Sequence, residues 1–416
     1  MINWQRLLAQ RTVGMRASEI RDAFQLAERP DIISFAGGFP APESFPVTEL
    51  RQVMQRLMES EADVALQYGP TEGIYELRCL IAERMSREGI LTKPEHVIIT
   101  NGSQQALDLL FKILINPGEP VVYELPAYIG GINAAVNYEA KPVGVRQDEQ
   151  GLDVGALEQY LAKQREQGAP LPKVLYIVPN FHNPTGVTLS LSRRERLVAL
   201  ARDYDFTIIE DNPYGDLRLE GTSLPHLKTF DTDGRVFYLG SFSKICIPGV
   251  RLGWLVADPV IIQKVCIAKQ GSDLCTNSLG QKLVCEFAKS GLLDQHIGTL
   301  KSIYKRKRDL ALAALTEYLP KEVRWTQPQG GFFIWITLPA HLDAKQLLPG
   351  LVAEEKTAYV PGGAFFVDGS GKNTIRLAFS QVSEDDMAEG IKRLGRYLDR
   401  MLHSVRPTRA EAFRSA

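Results

Sequence analysis

The chain has 416 residues, 44% hydrophobic and 23% charged, with a formal net charge of -1 at pH 7; this is too long for one small core and gives no bias toward nucleic acid or anionic membranes. Five cysteines, an odd number with no CxxC pair, argue against a disulfide framework or a metal site and fit a reducing, cytoplasmic setting. No stretch approaches the ~18 apolar residues of a membrane span.

Met1 to Leu26 is mildly amphipathic, with Trp4, Arg6, Arg11, Arg16 and Glu19, and lacks the apolar core of a secretion signal. From about residue 97, short β-rich runs alternate with helix-period stretches, the rhythm of an α/β unit with a largely parallel sheet. The strands expected are Val97 to Thr100, Pro120 to Glu124, Lys173 to Val178, Phe206 to Glu210, Val236 to Gly240 and Arg251 to Val256, mostly continuous apolar runs suited to burial on both faces. Polar residues cluster just past their C-terminal ends, where open α/β sheets bind ligands. After about Leu292 the character changes: a charged helical stretch, Leu300 to Tyr318, leads into a smaller mixed region with strands at Gly330 to Trp335 and Thr374 to Ala378. Arg406 to Ala416 has no periodicity and reads as a frayed tail.

Chemistry-bearing residues fall at these strand ends. After Thr100, the run Asn101-Gly102-Ser103-Gln104 opens a helix, and Gly102 lets backbone N–H groups approach an anion closely, so Ser103 and Gln104 suit a phosphate; the plainer reading is a serine N-cap. Tyr128, after Glu124-Leu125-Pro126-Ala127, suits stacking on a planar ring or a place in the core. In Pro179 to Gly186, a loop by its turn formers, Asn183 is able to offer its amide to a phenolic oxygen, while His182 reads as a surface or supporting group. Asp211 ends a strand, with Tyr214 three residues on; a carboxylate there would keep a pyridine ring protonated and the phenol would bond the ring's oxygen, unless the segment is only a turn. Lys244 follows Ser241-Phe242-Ser243 and precedes Pro248-Gly249-Val250-Arg251. A lysine taken alone is usually solvated. Here its amine could attack an aldehyde, with Arg251, Ser241 and Ser243 available for a phosphate tethered to it.

From about Ile33 to Gln381 these ordered segments resemble fold type I pyridoxal-phosphate enzymes, specifically the class I and II aminotransferases. Ile33-Ser34-Phe35-Ala36-Gly37-Gly38-Phe39-Pro40, Leu66-Gln67-Tyr68-Gly69-Pro70-Thr71-Glu72-Gly73 and Gly102 to Asp108 are similar to the branch of 2-aminoadipate and kynurenine aminotransferases. The resemblance implies an α/β fold with a large domain, residues 46–295, built on a mostly parallel seven-stranded sheet flanked by helices. It adds an arm at 1–45, a smaller α+β domain at 296–403 and a tail at 404–416. It implies pyridoxal 5'-phosphate held by Lys244 as a Schiff base, and a homodimer in which Tyr68 reaches the cofactor phosphate of the neighbouring subunit. It places Arg376, with Asn183 and Gly38, on the substrate, the guanidinium pairing with the α-carboxylate, and puts Arg21 at a distal carboxylate unless that arginine is merely solvated.

The reaction implied moves an amino group from an L-amino acid to a 2-oxo acid, 2-oxoglutarate foremost. Other chemistry at the α-carbon, as in a β-lyase, racemase or decarboxylase, is the alternative the motifs leave open. A cofactor-sensing regulatory domain is a further one, disfavoured because only about 30 residues precede Ile33, too few for a DNA-binding module. Ala127, His182 and Cys246-Ile247 depart from the family pattern and leave the substrate open.

Overall fold

The computed structural model describes residues 2–15, 29 and 31–404. Arg21 and the expected tail at Arg406 to Ala416 lie outside the described residues. The strands in chain order are β1 (Ile33–Ser34), β2 (Val97–Thr100), β3 (Pro120–Leu125), β4 (Lys141–Asp148), β5 (Gly151–Leu152), β6 (Val174–Ile177), β7 (Thr207–Asp211), β8 (Val236–Ser241), β9 (Gly253–Val256), β10 (Arg324–Trp325), β11 (Phe333–Thr337), β12 (Thr357–Ala358), β13 (Val360–Pro361) and β14 (Thr374–Ala378).

The large sheet runs β2-β9-β8-β7-β6-β3-β4-β5. Strands β4, β3, β6, β7 and β8 are parallel, while β9 is antiparallel to both β8 and β2. The mostly parallel seven-stranded sheet expected from the sequence is therefore present, extended by the two-residue β5. Alternate residues explain why its strands read as unbroken apolar runs. Val121, Tyr123, Val174, Tyr176 and Ile209 pack into one core, whereas Val122, Leu175, Ile177 and Ile208 pack into another on the opposite face, against the helices Val154–Glu166 and Leu191–Tyr204. Both faces are covered, so no polar position is needed.

Three strand readings change. The strand expected from Arg251 begins only at Gly253, Arg251 itself having φ +56°. Lys141–Asp148 is a strand that periodicity missed, because at the sheet's edge it is largely accessible and carries Pro142 and Gly144 among its polar residues. Gly330 to Trp335 begins its strand only at Phe333: Gly331 has φ +69°, which no extended strand adopts. The helix expected from Leu300 starts earlier, at Leu292, just after Gly291 with φ +75°.

A second sheet, antiparallel in the order β10-β11-β14-β13, is flanked by the helices Ala344–Glu355 and Glu384–Ser404. Strand β1 pairs with β12, and the Phe35 carbonyl accepts from Ala378 N at 2.9 Å, so residues 35–39 are strung along the end of β14 toward the large sheet. No helix among the described residues is long and apolar enough to cross a membrane.

Candidate active site

The antiparallel β9 determines how the end of the site that holds Gly102, Ser103 and Arg251 is built. Its first residue, Gly253, pairs with Ser241 at the end of β8 and with Thr100 at the end of β2, so the start of β9 lies at the edge where the parallel strands finish. A Cβ on Gly253 would stand 2.6 Å from Ser103 N, which shows how closely this backbone underlies the start of the helix Gly102–Leu114. Gly102 has φ +72°, and a Cβ there would meet Arg251 Nη2 at 2.6 Å. Glycine thus leaves room for the guanidinium against the open N–H groups of the helix. Arg251 Nη1 donates to Ser243 Oγ at 3.5 Å and to Pro248 O at 3.3 Å, and Ser243 N donates to Ser241 Oγ at 3.1 Å. Gln104 Nε2 is tied to Gly130 O at 2.8 Å, beside Tyr128.

Next to this pocket lies Lys244. Its Nζ donates to Gly38 O at 3.2 Å, and burial, with the charges of Arg251 and Arg376 behind it, pushes the amine down to about 8. The ammonium loses its hydration there, so the neutral, nucleophilic form is reached at a lower pH than for a solvated lysine. Asp211, at the end of β7, is 2% exposed. Its Oδ2 accepts from Tyr176 Oη at 2.8 Å, whereas Oδ1 is buried with no partner, and burial raises the acid to about 7. Tyr214 packs edge-on against Phe332 and Phe333 at 5.5 and 5.7 Å and is raised by burial.

Arg376 enters from β14. Its Nη1 donates to Asn183 Oδ1 at 3.1 Å and its Nη2 to Ala36 O at 2.7 Å, and Nε is buried with no partner. Phe333 and Phe365 lie beneath the guanidinium at 4.6 and 5.1 Å, and burial lowers its proton affinity to about 10.

One cavity of about 500 Å³ is lined by Gly38, Gly102, Ser103, Gln104, Tyr128, Asn183, Asp211, Tyr214, Ser241, Ser243, Lys244, Arg251 and Arg376. Of the residues singled out in the sequence, Tyr68 is not among them; it is 80% exposed. Phe39, Ile129, Asn133, Val178, Pro213 and Phe333 line the cavity without having been foreseen, since apolar or lone polar residues carry no local signature of a site. His182 is no surface group. It is buried, with Nδ1 2.9 Å from Thr185 Oγ1, and Nε2 3.1 Å from Glu124 Oε1 without the alignment of a hydrogen bond. Tyr176 was also missed, because in Val174-Leu175-Tyr176-Ile177 it reads as one more core aromatic. The available signal was its hydroxyl, which needs a partner once buried.

The donors fit a phosphate-bearing pyridine aldehyde. An anion pocket of helix N–H groups, Arg251 and serine hydroxyls lies at one end, a lysine poised as the amine in the middle, and a carboxylate oxygen without a partner below. A site of this make at the C-terminal edge of this sheet defines a pyridoxal-phosphate enzyme of fold type I. The chain belongs to the class I and II aminotransferases, whose family model matches residues 30–394. It is 45% identical over 394 residues to the aromatic-amino-acid aminotransferase 1 of Thermococcus litoralis, covering 94% of each chain. Among solved structures, a Pyrococcus horikoshii kynurenine aminotransferase in complex with PMP aligns with a TM-score of 0.92 at 44% identity, over 96% of this chain and 98% of that one. The Thermus thermophilus α-aminoadipate aminotransferase, complexed with N-(5'-phosphopyridoxyl)-L-leucine, aligns with a TM-score of 0.89 at 39% identity, over 97% and 100%.

Proposed function

We propose that this aminotransferase takes the amino group of a 2-aminoadipate, aromatic or aliphatic L-amino acid and passes it, by a ping-pong sequence, to 2-oxoglutarate. One observation carries the reading: Lys244, lowered to about 8, Asp211, with one buried oxygen without a partner, and Arg376, with one buried guanidinium nitrogen without a partner, line the same cavity. When bound, pyridoxal phosphate supplies a ring that withdraws electrons from the substrate's α-carbon. Ser103, Gln104, Ser241, Ser243 and Arg251 would hold its phosphate, with Gly102 leaving the space for them. Tyr128 would stack on the ring, and Asn183 and Tyr214 would bond its oxygen. Asp211 would keep a proton on the ring nitrogen. Arg376, with Asn183 and Gly38 beside it, fixes the substrate's α-carboxylate. Lys244 Nζ is the base placed to take the α-proton and hold it within the site, so orientation would supply much of the rate.

The reading includes a cytoplasmic homodimer in which Tyr68 completes the neighbouring subunit's phosphate site. Its support is the exposure of the large hydrophobic side chains Val64, Leu66, Tyr68 and Tyr75, together with five unpaired cysteines. Arg21 is assigned to a distal carboxylate of the donor. The deciding experiment is a panel of L-amino acids against 2-oxoglutarate, with Arg21→Ala in parallel. Glutamate should form in step with the new 2-oxo acid. Ammonia released without an acceptor, or a 2-aminoadipate rate indifferent to the Arg21 change, would overturn the corresponding assignment.

A further inference from the structure

Tyr176 stands where nothing in the reaction outlined above uses it, yet its hydroxyl makes the hydrogen bond to Asp211 Oδ2 at 2.8 Å. The sheet brings the two together. Tyr176 pairs with Ile209 in the parallel β6–β7 register, and Asp211, two residues on, shares a face with Ile209. The tyrosine is thus one step back from the carboxylate on the same face, a gap that its ring spans. The ring has two close neighbours. A Cβ on Gly131 would lie 2.6 Å from Tyr176 Cε1, so only glycine at that position in the helix Ile129–Val136 admits it. The Tyr123 ring, on the paired strand β3, is tilted against it with centroids 6.0 Å apart. Tyr176 is 1% exposed and its phenol is raised far above the ordinary value by burial and by Asp211, so it remains a donor throughout the range in which a protein is folded.

We infer that Tyr176 is a positioning residue for this cofactor: by donating to Oδ2 it keeps the negative charge on Asp211 and leaves Oδ1 as the oxygen that meets the ring nitrogen. This rests on the placement of Asp211 proposed above. The physical case is that a dry pocket favours the neutral acid, and a neutral acid cannot hold a proton on a pyridine nitrogen. Burial drives Asp211 toward its neutral form, and the Tyr176 hydroxyl opposes that. Hydrogen bonds to charged groups are the strong ones, and a carboxylate with one oxygen engaged has a defined orientation for the other.

The test uses the apo-protein of the full chain titrated with pyridoxal phosphate and with its 1-deaza analogue, in which C–H replaces the ring nitrogen. The wild type should prefer pyridoxal phosphate. Tyr176→Phe should lose about tenfold of that preference, the effect of one charge-assisted hydrogen bond, while binding the deaza analogue as the wild type does. Unchanged deaza binding also shows that the variant is folded. Asp211→Asn should lose the preference altogether. A wild type that does not discriminate would overturn the placement of Asp211 and this inference with it. If the wild type discriminates and Tyr176→Phe does so equally, or loses both ligands alike, the tyrosine's role alone is overturned.

Discussion

Arg376 donates to Asn183 Oδ1 at 3.1 Å across 193 residues of sequence, joining the second sheet to the loop that follows β6. Two guanidinium nitrogens are thereby tied to the protein, and the planar fork is oriented before any substrate arrives. Arg376→Lys should keep a charge but lose the fork. The expected result is a fall in kcat/KM of ~100-fold for amino acids, the loss of a bidentate charge-assisted contact. An amine with no α-carboxylate should be affected far less. Steady-state kinetics on both substrates decides it, and equal losses would remove the carboxylate role.

Lys244 sits among Arg251 and Arg376, and burial with these two charges lowers it from the usual 10.5 to about 8. Below that pH the group is an ammonium and cannot attack; above it the amine is free. The rate at which apo-protein takes up pyridoxal phosphate should therefore rise through a midpoint near 8, not near 10.5. Stopped-flow absorbance across pH 6 to 10 gives the profile. Lys244→Ala should show no absorbance band of lysine-linked cofactor and should lose at least ~10⁴-fold in turnover, as expected when nucleophile and base are the same group.

Beneath the site, Glu124 accepts from Val178 N at 2.8 Å and faces His182, and burial pushes the carboxyl up to about 8 and the imidazole down to about 3. Because the folded state binds the carboxyl proton more tightly than the unfolded state, Glu124 favours folding below its ordinary value near 4.5, and that contribution is lost as pH rises to about 8. Glu124→Gln keeps an acceptor for Val178 and removes the titration. Its unfolding free energy should match that of the wild type below pH 4.5 and exceed it increasingly up to pH 8, by roughly a few kcal/mol at most, read as a widening gap between the two melting temperatures. A constant offset between the two melting curves would refute this.

If Tyr68 serves the neighbouring subunit, two inactive chains should rescue each other. In a hybrid of Tyr68→Ala with Lys244→Ala, one site carries both defects and the other carries neither. A one-to-one mixture of subunits should recover about a quarter of wild-type sites by counting the pairings. Mixing without any gain over the separate variants would exclude the exchange.

Much of this was legible in the chain. Strand positions such as Val97–Thr100 and Thr374–Ala378 follow from apolar runs and their turn-forming boundaries, and the polar strand ends that hold Asp211, Asn183 and Lys244 are local too. Local pattern carries period, turn chemistry and residue type, which suffices to nominate a lysine, an acid and an anion pocket and to match them to a family. Pairing between distant segments is another matter. The antiparallel β9 that seats Arg251 over Gly102, the β6–β7 register that sets Tyr176 beside Asp211, and the meeting of Arg376 with Asn183 depend on register and on which edges lie together. The charge states of Lys244, Glu124 and His182 depend further on burial, a property of everything packed around them. By itself the sequence determined which ionisable and polar groups were available at the strand ends; only the tertiary structure decided which of them touch, what else lines the cavity with them and which are kept from water.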